Sequence, residues 1–333
     1  MTCSTSNIGP CGWISRFFSG RRFMAGVARM RTERRPNLFL VGAQKSGTTS
    51  LALMLGGHPQ VFMSNPKEPG YLAFGAEGYR FLDGRGRECR AASWVVHSEN
   101  DYLDLFRAAP PEVQVLGEAS TWYLAEPGMA ERLQSFSPDA RVVVILRQPA
   151  ERAYSCWCHA RRDQEEPIAD FREALAAEYV RCEPSHLLRY REMSRYLEPL
   201  KEYLRVFGRE RVLILLYEDL RGDRDALWRH CCEFLKVDAG LARPLLQHHN
   251  RSGMPRSRFI HGLMQSRRIK DFLRRLLPMS LTSRAKGLAE AANLQRMPPM
   301  DPALRAELNA EFAAEIRVLA ALTGRNLDHW LRP

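Results

Sequence analysis

The chain has 333 residues, 45% hydrophobic and 26% charged, enough to bury a core without help from metals or disulfides. Its net charge of +11 implies an anionic partner, but residues 1–36 carry seven Arg against one acid, Glu33, so the excess sits in an N-terminal arm and a nucleic-acid partner is not expected. No window of 18 apolar residues exists, which excludes a transmembrane helix, and the eight Cys form no paired CxxC knuckles, which disfavours a zinc site.

Residues 1–35 read as a flexible basic arm, with Met24 or Met30 as alternative starts, and residues 36–333 as one domain. The apolar run 37–42 (NLFLVG) reads as a buried strand. A Gly-rich turn over 42–47 follows, and a helix begins across Thr48–Leu55. Residues 64–98 are loop-rich, and connections of that length tend to be functional. A helix is expected over 101–108, a strand over Val113–Gly117 and a helix over Pro127–Phe136. Arg141–Leu146 (RVVVIL) is the most strand-like run, and a helix follows Pro149. Further on come an amphipathic helix over 192–207, a strand over Arg211–Leu216 and helices over 222–236, 257–276 and 301–323. Apolar strands alternating with helices predict an α/β fold in three layers, a P-loop-like central parallel sheet flanked by helices. Cys156, Cys158 and His159 are neighbours in sequence, but positions i and i+2 of a helix point apart. Free thiols in a reducing cytoplasm are the plain reading of the cysteines.

The strongest signal is Gly42-Ala43-Gln44-Lys45-Ser46-Gly47-Thr48-Thr49, a strand–turn–helix with glycines that let the backbone approach a ligand. The amides and dipole of the helix start favour an anion, and Ser46, Thr48, Thr49 and Ser50 add hydroxyls. In a Walker A loop a Lys follows the second Gly; here Thr48 stands there and the Lys has moved to position 45. In an NTPase a later strand ends in an acid that helps hold Mg²⁺; here the strand 141–146 ends in Arg147. Both departures argue against ATP hydrolysis and for a doubly phosphorylated nucleotide held without a metal.

These segments resemble the sulfotransferase family that uses 3′-phosphoadenosine 5′-phosphosulfate (PAPS), including its heparan sulfate and bacterial members. Gly42–Leu51 resembles the family's 5′-phosphosulfate loop, and Leu146–Ser155 (LRQPAERAYS) its 3′-phosphate segment. Gly117–Leu124 (GEASTWYL), Tyr217–Leu220 and the ending Thr323–Trp330 are also similar to family segments. The resemblance implies that Lys45, Ser46, Gly47, Thr48, Thr49 and Ser50 cradle the 5′-phosphosulfate and that Arg147 and Ser155 hold the 3′-phosphate. In the late loop 248–258, Arg256 and Arg251 are candidates to close over the nucleotide. Glu68, in Pro66-Lys67-Glu68-Pro69, matches the family's catalytic glutamate, and His58 is the competing base. Ala119 stands where heparan-type members carry a Lys, which leaves a glycan, a lipid or a small molecule open as acceptor. The expected activity is transfer of a sulfuryl group from PAPS to an acceptor hydroxyl or amine, with Lys45 stabilising the leaving charge and Glu68 taking the proton. The alternatives are a P-loop kinase or NTPase, and a nucleotide-binding protein without catalysis.

Overall fold

The computed structural model describes residues 34–75, 78, 80–90, 95–180, 188–242, 254–255, 294–295 and 298–332. Five strands form one sheet: β1 (Leu38–Gly42), β2 (Val61–Met63), β5 (Val115–Ala119), β6 (Arg141–Leu146) and β7 (Val212–Leu216). Their order is β2-β5-β1-β6-β7, and every pairing is parallel. Alternation along the strands explains why both faces are covered. On β1, Phe39 and Val41 enter one core while Leu38 and Leu40 enter the other; on β6, Val142, Val144 and Leu146 oppose Val143 and Ile145.

Helices α1 (Thr48–Gly56) and α8 (Arg224–Leu235) cover the second of these faces, through Leu51, Leu55, Trp228 and Leu235. The other face carries α4 (Met129–Phe136), α5 (Pro149–Arg162), α7 (Leu197–Phe207) and α9 (Pro302–Thr323). The three-layer α/β expectation therefore holds. Short elements complete the fold: α2 (Tyr71–Phe74), the hairpin β3 (Arg80–Leu82) and β4 (Glu88–Arg90), α3 (Glu99–Asp104), α6 (Phe171–Ala177) and the pair β8 (Met254–Pro255) and β9 (Leu294–Gln295).

Several boundaries differ from the sequence reading. The helix expected over 101–108 ends at Asp104, and the one expected over 192–207 splits into a 3₁₀ turn (Glu192–Ser194) and α7. The split has a cause. Buried Arg152 donates to Tyr190 O and Ser194 Oγ, and Leu197 N donates to Glu315 Oε1, so two tertiary ties fix the chain where an uninterrupted helix would run. β5 begins at Val115 and β7 at Val212, each two or one residues later than expected. The region 64–98 contains the β3–β4 hairpin, whose turn is held by Asp83 Oδ1 accepting from Arg85 N and Arg87 N. The expected helix 257–276 lies outside the described residues, as do arm residues 1–33. Arg34 and Arg35 are tied to the body: Arg34 donates to Pro110 O and Val113 O, and Arg35 to Phe136 O.

Topology fixes where a ligand can sit. From β1 the chain crosses α1 to reach β2 on one side of β5; later it passes from β5 over β1 to β6 on the other side. The direction of winding thus switches beside β1, and in open parallel sheets the crevice beyond the carboxyl ends of strands at such a point is the binding site.

Candidate functional site

Four segments converge at that edge. The loop after β1 leads into α1 with Gly42 (φ 154°), Lys45 (φ 68°) and Gly47 (φ 96°) all at positive φ. Two of its glycines are required by space as well as by φ. A Cβ on Gly42 would lie 2.8 Å from Leu124 Cβ, and one on Gly47 would lie 2.5 Å from Leu220 Cδ1. α1 begins without a side-chain cap and without an acid in its first turn, whereas α5, α8 and α9 are capped by Gln148, Asp223 and Asp301. Its first amides are thus left for an anion. Ser46 Oγ is fully buried in the loop with no hydrogen-bond partner among the described residues.

Among the described residues no carboxylate lies within ion-pair distance of the partly buried Lys45 ammonium. Burial pulls its pKa below the usual lysine range; Cys156 and Asp163 oppose the shift, and Arg162 and Arg147 add to it. A buried ammonium without a close partner is costly, and a nearby negative charge would relieve that cost. Arg147 emerges from the neighbouring strand end, and its Nη1 donates to Lys45 O at 3.2 Å. Its guanidinium lies 4.9 Å from the centre of the Tyr217 ring, and its Nη2 donates to Glu151 Oε2 at 3.2 Å. Ser155 lies on α5, eight residues on, and is partly buried.

Glu68 reaches the same edge from the segment after β2. Its amide donates to Ala119 O at 2.9 Å, at the end of β5. Its Oε1 accepts from Lys67 Nζ at 2.6 Å and from Thr121 Oγ1 at 3.0 Å. Thr121 O in turn lies 3.3 Å from where a Gly42 Cβ would be, so Glu68 and the phosphate-type loop are joined through Thr121. Lys45 and Glu68 (φ 62°) are two of four described non-glycine residues at positive φ, and backbone outliers of this kind gather at functional sites.

His58 is removed as a base. Its Nδ1 accepts from Gln60 N at 3.0 Å, which leaves Nε2 to donate to Asp238 O at 2.9 Å; the ring is buried against Trp228 beyond the far end of α1. Thr48 is buried, and Thr49 and Ser50 are partly buried in the first turn of α1. Arg256 and Arg251 lie outside the described residues.

Three further buried groups lie in or beside these segments. Arg152, fully buried, donates through Nε to Gln44 O at 3.2 Å and so holds the loop beside Lys45. His159 accepts from Arg162 Nη2 on its Nδ1 at 2.6 Å, and burial and then the Lys45 charge push its pKa down to about 3. Glu118 on β5 is fully buried; burial pushes its carboxyl up to about 7, opposed by the hydroxyls of Tyr102, Tyr123 and Ser120, none aligned for a regular hydrogen bond with it. Arg152 and Glu118 stand inside segments the sequence reading quoted, and His159 was weighed there only as a neighbour of Cys156 and Cys158.

The segments 217–220 and 323–330 have a shared purpose. Trp330 Nε1 donates to Glu218 Oε1 at 2.9 Å, and Arg325 Nη2 to Asp219 Oδ1 at 2.7 Å. Gln148, the cap of α5, donates to Trp330 O at 3.1 Å. The C-terminal segment therefore clamps both the turn bearing Tyr217 and the residue next to Arg147.

A family model described as Sulfotransferase family matches residues 36–240. The bifunctional heparan sulfate N-deacetylase/N-sulfotransferase 3 of Homo sapiens is 27% identical over 310 residues, 90% of this chain and 31% of that protein. Its counterpart numbered 1 in Caenorhabditis elegans is 29% identical over 189 residues, 56% of this chain and 20% of that protein. The chain thus spans less than a third of the length of these curated relatives. The crystal structure of a sulfotransferase from Alicyclobacillus acidocaldarius is 30% identical with a TM-score of 0.68, covering 90% of this chain and all of that one. The chain belongs to the sulfotransferase family, the PAPS-dependent family that its loop, its Arg147 segment and its sheet topology resemble.

Proposed function

We propose that this chain transfers a sulfuryl group from PAPS to an acceptor hydroxyl or amine. The observation that carries the proposal is the pairing of Lys45 and Arg147 at adjacent strand ends, in contact through Lys45 O, with Glu68 on the same edge. The residues fit the donor: an ammonium with no carboxylate at ion-pair distance and a Ser46 hydroxyl with no partner, both among the described residues, together with uncapped α1 amides suit the 5′-phosphosulfate, and Arg147 with Ser155 suits the 3′-phosphate. When bound, the donor supplies the sulfuryl group and a bisphosphorylated leaving nucleoside. Lys45 and the loop amides would stabilise charge on the departing oxygen, and Glu68 would take the acceptor's proton.

The kinase or NTPase alternative finds Thr48 and Arg147 where it needs a Lys and a metal-binding acid. Residues 36–333 would form the catalytic domain, with residues 1–35 as a basic arm. Cys156, Cys158, Cys231 and Cys232 are free and buried, which supports a reducing, cytoplasmic setting. No described helix is long and apolar enough to cross a membrane. The acceptor remains a glycan, a lipid or a small molecule.

Arg147→Ala is the test of the nucleotide assignment. It is expected to weaken adenosine 3′,5′-bisphosphate by about 10- to 100-fold, the loss of a charge-assisted contact, and to leave adenosine 5′-phosphate nearly unchanged. Calorimetric titration of both nucleotides reads this out, and equal weakening of the two would remove Arg147 from the 3′-phosphate.

A further inference from the structure

The segment proposed to hold the 3′-phosphate carries an acid in its middle. Glu151 lies between Arg147 and Ser155, and positions 151 and 155 of α5 are one turn apart on the same helix face. Glu151 Oε2 accepts from Arg147 Nη2 at 3.2 Å. A carboxylate at that place cancels the charge of the guanidinium assigned to the phosphate and repels a phosphate dianion. A second cation offsets it. Arg305, near the start of α9, donates from its Nη2 to Glu151 Oε1. One carboxylate thus bridges two guanidinia, one on each oxygen, and the three side chains are between 20% and 29% exposed.

We infer that Arg305 is a specificity-determining residue for the 3′-phosphate: it neutralises Glu151, so the Arg147–Ser155 pocket keeps a net positive charge and the chain selects a donor phosphorylated at the 3′ position. The inference rests on the proposed sulfuryl transfer from PAPS. Arg147 and Glu151 by themselves sum to zero, whereas with Arg305 the set carries one positive charge.

The surroundings separate this role from a staple between helices. Asn309, one turn after Arg305 on α9, accepts from Gln148 Nε2 at 2.5 Å and donates to Arg332 O at 2.7 Å. Leu304, Leu308 and Phe312 of α9 enter the same core as Ala150 and Ala153 of α5. α9 is therefore docked on α5 by other groups. Arg147 is also fixed by other groups: Nη1 donates to Lys45 O at 3.2 Å, the guanidinium lies 4.9 Å from the centre of the Tyr217 ring, and Arg147 O accepts from Tyr196 Oη at 2.9 Å. What the Glu151–Arg305 pair adds beside them is charge.

The test is calorimetric titration of the full chain with adenosine 3′,5′-bisphosphate and adenosine 5′-phosphate at about 0.1 M salt. Arg305→Met should weaken the bisphosphate by about tenfold and the 5′-phosphate by less than about twofold. Arg305→Lys, which keeps the charge, should stay within about threefold of wild type. The double variant Glu151→Gln with Arg305→Met should also return to within about threefold, because the acid has gone with its partner. A staple would not be restored by removing its second half, and thermal melting of each variant reads the staple separately. Should Arg305→Met not fold, Glu151→Gln alone decides. It leaves two cations without the acid, and bisphosphate binding should tighten by about threefold or more. Unchanged bisphosphate affinity in Arg305→Met, equal weakening of both nucleotides, a double variant as weak as Arg305→Met, or weaker bisphosphate binding in Glu151→Gln overturns the inference. A wild-type chain that does not bind the bisphosphate would strike the donor assignment, and the inference with it.

Discussion

Glu68→Gln is expected to slow sulfuryl transfer by about 10²- to 10⁴-fold, the usual worth of a positioned general base. Gln is nearly the same size and can still accept from Lys67 and Thr121 on its amide oxygen, so the segment after β2 should keep its path. What it loses is the capacity to bind a proton. Affinity for adenosine 3′,5′-bisphosphate should be unchanged, since Glu68 sits on the β5 side of the loop and Arg147 on the β6 side. Single-turnover rates with labelled donor, beside nucleotide titration, separate the two. Full activity in this variant would leave the acceptor to lose its proton directly to solvent and would remove Glu68 from the chemistry.

Lys45→Ala should lower kcat by about 10²- to 10³-fold, as removal of one donor aimed at developing negative charge does in other transfer enzymes. Wild type should also show a pH effect. Because burial holds the Lys45 pKa below the usual lysine range, donor affinity should fall as pH rises through that lowered value and the ammonium is lost. Lys45→Ala should abolish this alkaline loss. Measuring the donor's dissociation constant and kcat from pH 7 to pH 10 tests both effects, and an identical alkaline limb in the variant would show that another group titrates.

Much of the molecule could be read from the chain. The run 37–42 and the run 141–146 announced buried strands because both faces are apolar, and the displaced Lys45 and the basic end of β6 marked the two segments that the structure places at adjacent strand ends. What stayed hidden was what only tertiary contact creates. The ion pair of Lys67 with Glu68 was visible as adjacency, but Thr121 joins it from a segment 53 residues away. The break before α7 comes from Arg152, and a sequence window over 192–207 cannot see a guanidinium placed by α5. β2 and the β3–β4 hairpin are three residues per strand, too short to carry a period. His58 looked like a base by residue type alone; the structure shows both of its nitrogens already engaged.

The account depends on one nucleoside being gripped by Lys45 at its sulfated end and by Arg147 at its 3′-phosphate. Crystals grown with adenosine 3′,5′-bisphosphate and a chelator measure this most directly. The 5′-phosphate should lie on the Gly42–Thr49 loop against Lys45 and the 3′-phosphate on Arg147 and Ser155. A nucleotide whose 3′-phosphate points away from Arg147, or one that enters the site only with Mg²⁺ and a triphosphate, would contradict it.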